Sequence, residues 1–425
     1  MTGHAYQPGE DFARDLDAAD PLRGYRERFH IPLGPDGQPC AYLCGNSLGL
    51  QPKAARELVE HELDAWATLG VEGHFKEEAA WYSYHELFRD SGARLVGARP
   101  SEVVMMNSLT VNLHLMMATF YRPAGARTKL LIEEPCFPSD LYAVTSQVRH
   151  HGLDPVEHLL TVSPRPGEHL LREEDIESLL AERGHEVALV LFNAVNFLTG
   201  QFLGVERLTR AAHAQGCIIG WDLAHAAGNV MLSLHDWDID FAAWCSYKYL
   251  NAGPGAVAGC FVHEKHGANL SLPRLAGWWG NDPATRFRMQ QERAFVPRAG
   301  ADGWQVSNPP ILALAPLRAS LELFGEAGMS ALRARSERLT GYLEFLLDRL
   351  PPGQFEVITP RDPARRGCQL SLLVHDRPRE VLANLEREGV VCDFREPNVL
   401  RVAPVPLYNT FHDVWRFADA LRRAL

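Results

Sequence analysis

Apolar residues recur along the chain at two different periods. In 51–70 (QPKAARELVEHELDAWATLG) and 81–98 (WYSYHELFRDSGARLVGA) they fall three and four apart, which predicts helices. From residue 102 the pattern becomes short apolar runs separated by helix-like stretches. Strands are expected at 102–106, 129–134, 186–192, 217–222, 239–246 and 256–262, and helices at 109–121, 139–152 and 205–216. Apolar strands alternating with helices predict an α/β fold, a largely parallel sheet covered on both faces. Residues 264–310 break the pattern and are rich in Trp, Pro, Arg and Gly, as long functional loops are. Two helices then fill 311–349, strands follow at 368–374, 389–394 and 399–404, and a helix over 409–424 closes the chain. This tail reads as a smaller α+β domain. The expected division is an N-terminal segment (1–50), a large domain (51–311) and a small C-terminal domain (312–425).

Composition narrows the partners. At 425 residues the chain exceeds one core of ordinary size. Its net charge of −11 opposes nucleic acid or an anionic membrane as the main partner, though a local pocket could still bind a small anion. No apolar run approaches the roughly 20 residues that span a bilayer. The amino terminus is polar and acidic with no apolar signal region. The eight cysteines are scattered without a C-x-x-C pair, so a cytoplasmic chain with reduced thiols is expected. Cys40 and Cys44 lack a second matching pair, and no metal is expected.

In an open parallel sheet, ligands collect beyond the carboxyl ends of the strands. After the first strand comes Asn107-Ser108-Leu109-Thr110, opening a helix whose free N–H groups suit an anion or need only a cap. After the second comes Phe137-Pro138-Ser139-Asp140, where Phe137 could offer a flat face and Ser139 or Asp140 a helix cap. Asn193 and Asn196 follow the next strand. Asp222 ends another apolar strand, His225 follows it, and Lys248 stands after the strand beyond, within CSYKYLNAGPG. Each has a structural reading alone. Together, an acid, a lysine, an aromatic plate and a helix start are what pyridoxal 5′-phosphate requires: an amine for its aldehyde, a carboxylate for its ring nitrogen, a stacking face and an anion site. Competing motifs fail on spacing. GPGAVAG (253–259) is G-x-G-x-x-x-G and runs into a strand, HEKH (263–266) is not H-E-x-x-H, and no P-loop or G-x-S-x-G occurs.

Several blocks carry a more specific likeness. YLCGNSLGLQP (42–52), MNSLTVNLHLMM (106–117), FPSD (137–140), LHDWDIDFAAWCSYKYLNAG (234–253), GWWG (277–280), SNPPIL (307–312) and RVAPVPLYNTFHDV (401–414) closely resemble kynureninase. The resemblance runs from about residue 25 to the carboxyl end. It implies the fold type I of pyridoxal-phosphate enzymes, with a mostly parallel seven-stranded sheet, and a homodimer sharing its active sites. It implies hydrolysis of L-kynurenine or 3-hydroxy-L-kynurenine to L-alanine and anthranilate or 3-hydroxyanthranilate. Lys248 would hold the cofactor and move the α-proton, Asp222 would pair with the ring nitrogen, and Phe137 would stack on the ring. Leu109, Thr110, Pro138, Ser139, Asp140, Asn193, His225 and Tyr247 fall at cofactor positions. So do Trp278 and Asn308, which would come from the neighbouring subunit. Tyr247 is the candidate acid–base group, its alternative being a phosphate hydrogen bond. Arg401 suits the substrate α-carboxylate. His74, Ser307 and Asn308 align with aryl-ring contacts, in a form resembling members that favour the 3-hydroxylated substrate. The other readings are another fold-type-I enzyme, such as a class V aminotransferase or a cysteine desulfurase using Cys368, and a non-catalytic scaffold.

Overall fold

Successive side chains of the large sheet enter opposite cores, as the strand period of two requires. In the strand Val187–Asn193, Val190 and Phe192 join one core, while Leu189 and Leu191 join the other. Ala242 and Trp244 against Phe241 and Ala243 repeat the division in Phe241–Trp244. A strand buried on both faces must be apolar throughout, hence the continuous apolar runs in the sequence.

The computed structural model describes residues 6–76, 80–291 and 294–425. The large sheet has seven strands: β1 (Val103–Met105), β2 (Lys129–Glu133), β3 (Leu159–Val162), β4 (Val187–Asn193), β5 (Ile218–Asp222), β6 (Phe241–Trp244) and β7 (Gly259–Val262). Their spatial order is β1-β7-β6-β5-β4-β2-β3. Strands β2 to β6 pair in parallel, and β7 alone runs antiparallel to its neighbours β6 and β1. Helices Leu109–Phe120 and Pro138–His150 cover one face through Leu113, Met116, Val144 and Val148. Helices Val205–Ala214 and Ile311–Ala327 cover the other through Leu208, Ala212, Leu314 and Leu317. Gly220 lies opposite Phe241, and a Cβ there would sit 2.1 Å from that ring, so only glycine leaves room for the aromatic.

A second core gathers Leu339, Leu343, Phe411, Phe417 and Leu421 over a four-stranded antiparallel sheet, with Ala13, Ala41 and Leu43 from the amino-terminal segment. Its strands are β8 (Phe355–Val357), β9 (Leu370–Val374), β10 (Asp393–Arg395) and β11 (Val399–Val402), in the order β10-β11-β9-β8. The stretch 389–394, expected as one strand, serves two sheets: Val390–Val391 pairs in parallel with Ala41–Tyr42, and β10 pairs with β11. The stretch 81–98, expected as one helix, starts as a 3-10 turn over Tyr84–Phe88 and becomes α-helical over Arg89–Val96. The pattern missed the edge strands β3, with Thr161 exposed, and β8, and the helices Glu10–Ala18, Glu173–Arg183 and Pro378–Arg387. Each of these helices is rich in charged residues and fully buries only one or two side chains. Among the described residues no helix is long and apolar enough to cross a membrane.

At the edge of the sheet away from the strands' carboxyl ends, buried Asp240 accepts from His213 Nε2 (2.9 Å), His266 Nε2 (2.7 Å) and the Ile219 N–H (2.8 Å), with Lys265 Nζ 3.1 Å away. Burial alone would raise its pKa, but the two imidazoles, Lys265 and the N–H outweigh it and hold the carboxyl below its ordinary value. A depressed folded-state pKa contributes stability above the unfolded-state value near ~4, lost as pH falls below it. Asp240→Asn should therefore cost about 2 kcal/mol at pH 7, measured by urea unfolding, with a deficit that shrinks below about pH 4.

Candidate active site

Strands β1, β2, β4, β5 and β6 point the same way, so their carboxyl ends open on one edge of the sheet. There the structure brings together Asp140, Asn193, Asp222, His225, Tyr247, Lys248 and Phe137. Lys248 Nζ lies 3.1 Å from His225 Nε2, 5.7 Å from the Phe137 ring centre and 5.9 Å from that of Tyr247. Other lysines differ: Lys76, Lys129 and Lys265 are ion-paired to Glu72, Glu186 and Asp238. Burial, then the charges of Lys248, Arg401 and Arg395, hold His225 well below its ordinary pKa, so it faces the amine as a neutral ring. Gly49 donates its N–H to the Tyr247 carbonyl (2.8 Å), and a Cβ on Gly49 would meet the Lys248 carbonyl at 2.3 Å. That contact seats the amino-terminal loop on the lysine's backbone.

Asp222 is buried and accepts from the Ala224 N–H (2.6 Å). It also shares a hydrogen bond with Asp140, which accepts from Asn193 Nδ2 (3.0 Å). Burial and then the charge of Asp140 push Asp222 well above the usual carboxylate range. Burial raises Asp140 as well. With both carboxyls raised, the pair favours keeping a proton between them over carrying two charges. Burial and then Cys245 raise the Tyr247 hydroxyl, which stays protonated at neutral pH.

The helices Leu109–Phe120 and Pro138–His150 start side by side, joined by Thr110 Oγ1 and Ser139 Oγ at 3.1 Å. Neither start carries a side-chain cap, so their N–H groups and two hydroxyls are available to an anion. Leu109 is half-buried and Pro138 exposed at the first helical position, where no N–H is needed. Asp140, a possible cap from sequence, sits inside the helix and turns to Asn193 and Asp222 instead. Asn196 closes its own loop, accepting from Leu198 and Thr199 and donating to the Pro135 carbonyl (2.9 Å).

On β11, Arg401 is opposite Asp393 in register and buried. Its Nε donates to Asp393 Oδ1 (3.0 Å) and its Nη1 to the Phe197 carbonyl (2.6 Å). Nη2 is 2.8 Å from the same carboxylate oxygen but off-axis, leaving its N–H unused. The Phe197 ring meets Phe137 edge-on at 5.4 Å, linking Arg401 to the aromatic plate.

Four predicted residues stand apart from this cluster within one chain. Trp278 packs edge-on against Trp279 (4.8 Å), and Ser307 and Asn308 are exposed, with Ser307 Oγ donating to Asn308 Oδ1 (3.2 Å). His74 is half-buried, with Nδ1 3.0 Å from the Val71 carbonyl and its ring edge-on to Trp81. Among the described residues none of the four has a hydrogen bond or ring contact with the Lys248 cluster. Sequence reasoning missed Asp393 and Glu133. The first is visible only in strand register. The second ends an apolar strand with a buried carboxyl, a signal legible in LLIEE.

Residues 332–421 match the family model for the kynureninase C-terminal domain. The chain is 58% identical over 420 residues to a kynureninase of Myxococcus xanthus, covering 99% of this chain and 98% of that one. It is 56% identical to a kynureninase of Koribacter versatilis over the same shares. Among solved structures it resembles the Escherichia coli cysteine desulfurase CsdA (TM-score 0.74, 18% identity, 99% of both chains). It also resembles a C-DES mutant with glycine covalently linked to its PLP cofactor (TM-score 0.76, 16% identity, 93% of this chain and 99% of that one). At such identities the structural likeness concerns the fold alone.

Proposed function

The chain belongs to the kynureninase family, and from that premise we propose that it cleaves 3-hydroxy-L-kynurenine in preference to L-kynurenine, as a homodimer whose subunits complete each other's sites. It is a pyridoxal-phosphate-dependent hydrolase of the Cβ–Cγ bond, giving L-alanine and an aryl acid. The observation that carries the chemical reading is the placement of Lys248 against a neutral His225, with the Asp222–Asp140 pair beside it.

The residues present fit the cofactor. Two uncapped helix starts with Thr110 and Ser139 suit its phosphate, the Phe137 face its ring, and the proton-sharing Asp222 its ring nitrogen. When bound, pyridoxal phosphate supplies a protonated ring that takes up an electron pair from the substrate's carbon. Lys248 Nζ is the amine that would hold the cofactor's aldehyde carbon. When free, Lys248 Nζ would take the substrate's α-proton, and neutral His225 leaves that amine able to accept it. Asp222 would face the ring nitrogen as a carboxylate and hold a proton there, while Asp140 and Asn193 fix its orientation. Arg401 offers its unused Nη2 to the substrate carboxylate, braced by Asp393 and the Phe197 carbonyl. Tyr247, protonated and beside the lysine, serves the γ-ketone and β-carbon as acid and base.

The fold neighbours include desulfurases, but the cysteine such chemistry would use is not mobile here. Cys368 is fully buried, its N–H is held by Asn229 Oδ1 (2.8 Å), and burial pushes its thiol up to about 12.

The substrate preference rests on His74, Ser307 and Asn308. Because His74 Nδ1 faces a carbonyl it carries the proton, which leaves Nε2 as an acceptor for a phenol O–H. Trp278, Ser307 and Asn308 lie apart from Lys248 in one chain, which supports their acting from the partner. A polar site that loses its phenol partners discriminates less. The double variant His74→Trp with Asn308→Thr should cut the kcat/KM ratio of 3-hydroxykynurenine to kynurenine by about tenfold or more, in side-by-side assays of aryl-acid release without added oxo-acid. An unchanged ratio would remove the preference, and a requirement for oxo-acid would replace the hydrolase reading with a transaminase.

A further inference from the structure

The buried acid at the end of β2 has no part in the chemistry described above. Glu133 is buried, and its Oε1 accepts the backbone N–H of Asn193 (3.0 Å), at the end of the neighbouring strand β4. Its Oε2 has no hydrogen-bond partner among the described residues. Asn193 in turn donates its side-chain amide to Asp140, which is hydrogen-bonded to Asp222. Three carboxyls thus lie along one chain of contacts, Glu133 to Asn193 to Asp140 to Asp222.

We propose that Glu133 is a positioning residue working as a neutral acid: with its proton on Oε2 and the Asn193 N–H on Oε1, it fixes the amide that aims Asp140 and Asp222 at the cofactor ring. The inference rests on the assignment of Asp222 to that ring. An ionised Glu133 would leave one buried anionic oxygen unsolvated, which costs several-fold more than burying a neutral acid. It would also add a negative charge to a pair that already shares a proton. The groups facing Glu133 all bear on this choice. Asp140, from the helix Pro138–His150, disfavours its ionisation. The Cys136 thiol in the loop between is pushed up to about 12 by burial and then by Glu133 and Asp140, so it is neutral. Asn193 on β4 is uncharged, but its N–H groups and the N–H of Glu133 itself favour the ionised form without outweighing burial, and exposed Glu134 turns away to Ser163 Oγ (3.0 Å). Lys248 acts on Asp140 and Asp222. In agreement with this geometry, burial is the largest influence on Glu133 and its carboxyl is pushed up to about 8. Held neutral, Glu133 supports the network without competing for the charge that Asp222 must carry alone.

The test compares Glu133→Gln and Glu133→Ala in the full-length holoenzyme. Readouts are the pH midpoint of its visible absorbance and kcat/KM at pH 7. Glutamine keeps the shape, the neutral state and an oxygen for the Asn193 N–H. It should leave the midpoint within about 0.2 unit of the wild type and rescue most of the activity lost in the alanine variant. Alanine removes the acceptor and should lower kcat/KM by about tenfold, the equivalent of one lost hydrogen bond. A midpoint lowered by about one unit or more in Glu133→Gln would show that a negative charge had been removed, and would overturn the neutral-acid assignment. An alanine variant as active as the wild type would overturn the positioning role. If the alanine variant does not fold, the midpoint of the glutamine variant still decides. A colourless wild-type holoprotein would overturn the cofactor assignment and this inference with it. A yellow wild type with a shifted glutamine variant overturns the inference alone.

Discussion

Lys248→Ala is expected to lower kcat by about 10⁴-fold or more, with the fold unchanged. Proton transfer by a placed side chain is worth roughly 10²–10⁴-fold, and in the proposed reaction this lysine would also provide the covalent hold that splits a hard step into easier ones. Its side chain is half-buried, and its hydrogen bond is to a neutral imidazole. Removing it takes a cation from beside the Asp140–Asp222 pair, which can hold its proton instead, so thermal unfolding should move by only about 1 kcal/mol. Lys248→Arg should not rescue, because a guanidinium keeps its proton at every accessible pH and cannot accept another. Single-turnover assays separate the chemical step from substrate binding. A variant retaining a tenth of the wild-type rate would show that the proton is carried by another group.

The second large effect is at Asp222. Asp222→Asn should reduce kcat by about 10²–10³-fold, the usual cost of removing one preorganised charge from where it is needed in the transition state. The same substitution should not destabilise the apoprotein. Asp222 lies buried against Asp140, and its pKa in the folded state stands above its unfolded value. For such a group the folded state gains stability below the unfolded pKa, near ~4, and loses it as pH rises through the folded pKa. An asparagine keeps an oxygen for the Ala224 N–H and escapes that loss. Apoprotein melting at pH 8 should therefore be equal to the wild type or higher while activity collapses, a trade of stability for function at one residue. Melting well below the wild type at pH 8 would mean that Asp222 is a structural acid.

The large sheet was legible because its strands are buried on both faces and so carry unbroken apolar runs, as FAAW and LVLF do. Edge strand β3 was not, because Leu159 and Leu160 are half-buried and Thr161 faces solvent. Candidate residues at strand ends, Asp222 and Lys248 above all, could be singled out because strand ends are where an open sheet collects ligands. What remained hidden depends on contacts between distant segments. That Asp140 turns inward, that Arg401 is braced by Asp393 and the Phe197 carbonyl, and that His225 faces the lysine uncharged are matters of register and burial. Helix Ile311–Ala327 packs on the large-sheet core through Leu314 and Leu317, while Leu339 and Leu343 in the next helix belong to the second core.

The chain has few lysines, which makes the central claim sharply testable: besides Lys248 they are Lys53, Lys76, Lys129 and Lys265. Borohydride reduction of the holoenzyme followed by peptide mapping should place one pyridoxyl group on the peptide containing Cys245 to Gly255, attached at Lys248. An adduct on any of the other four lysines, or no adduct in a protein that holds its cofactor, would contradict the account.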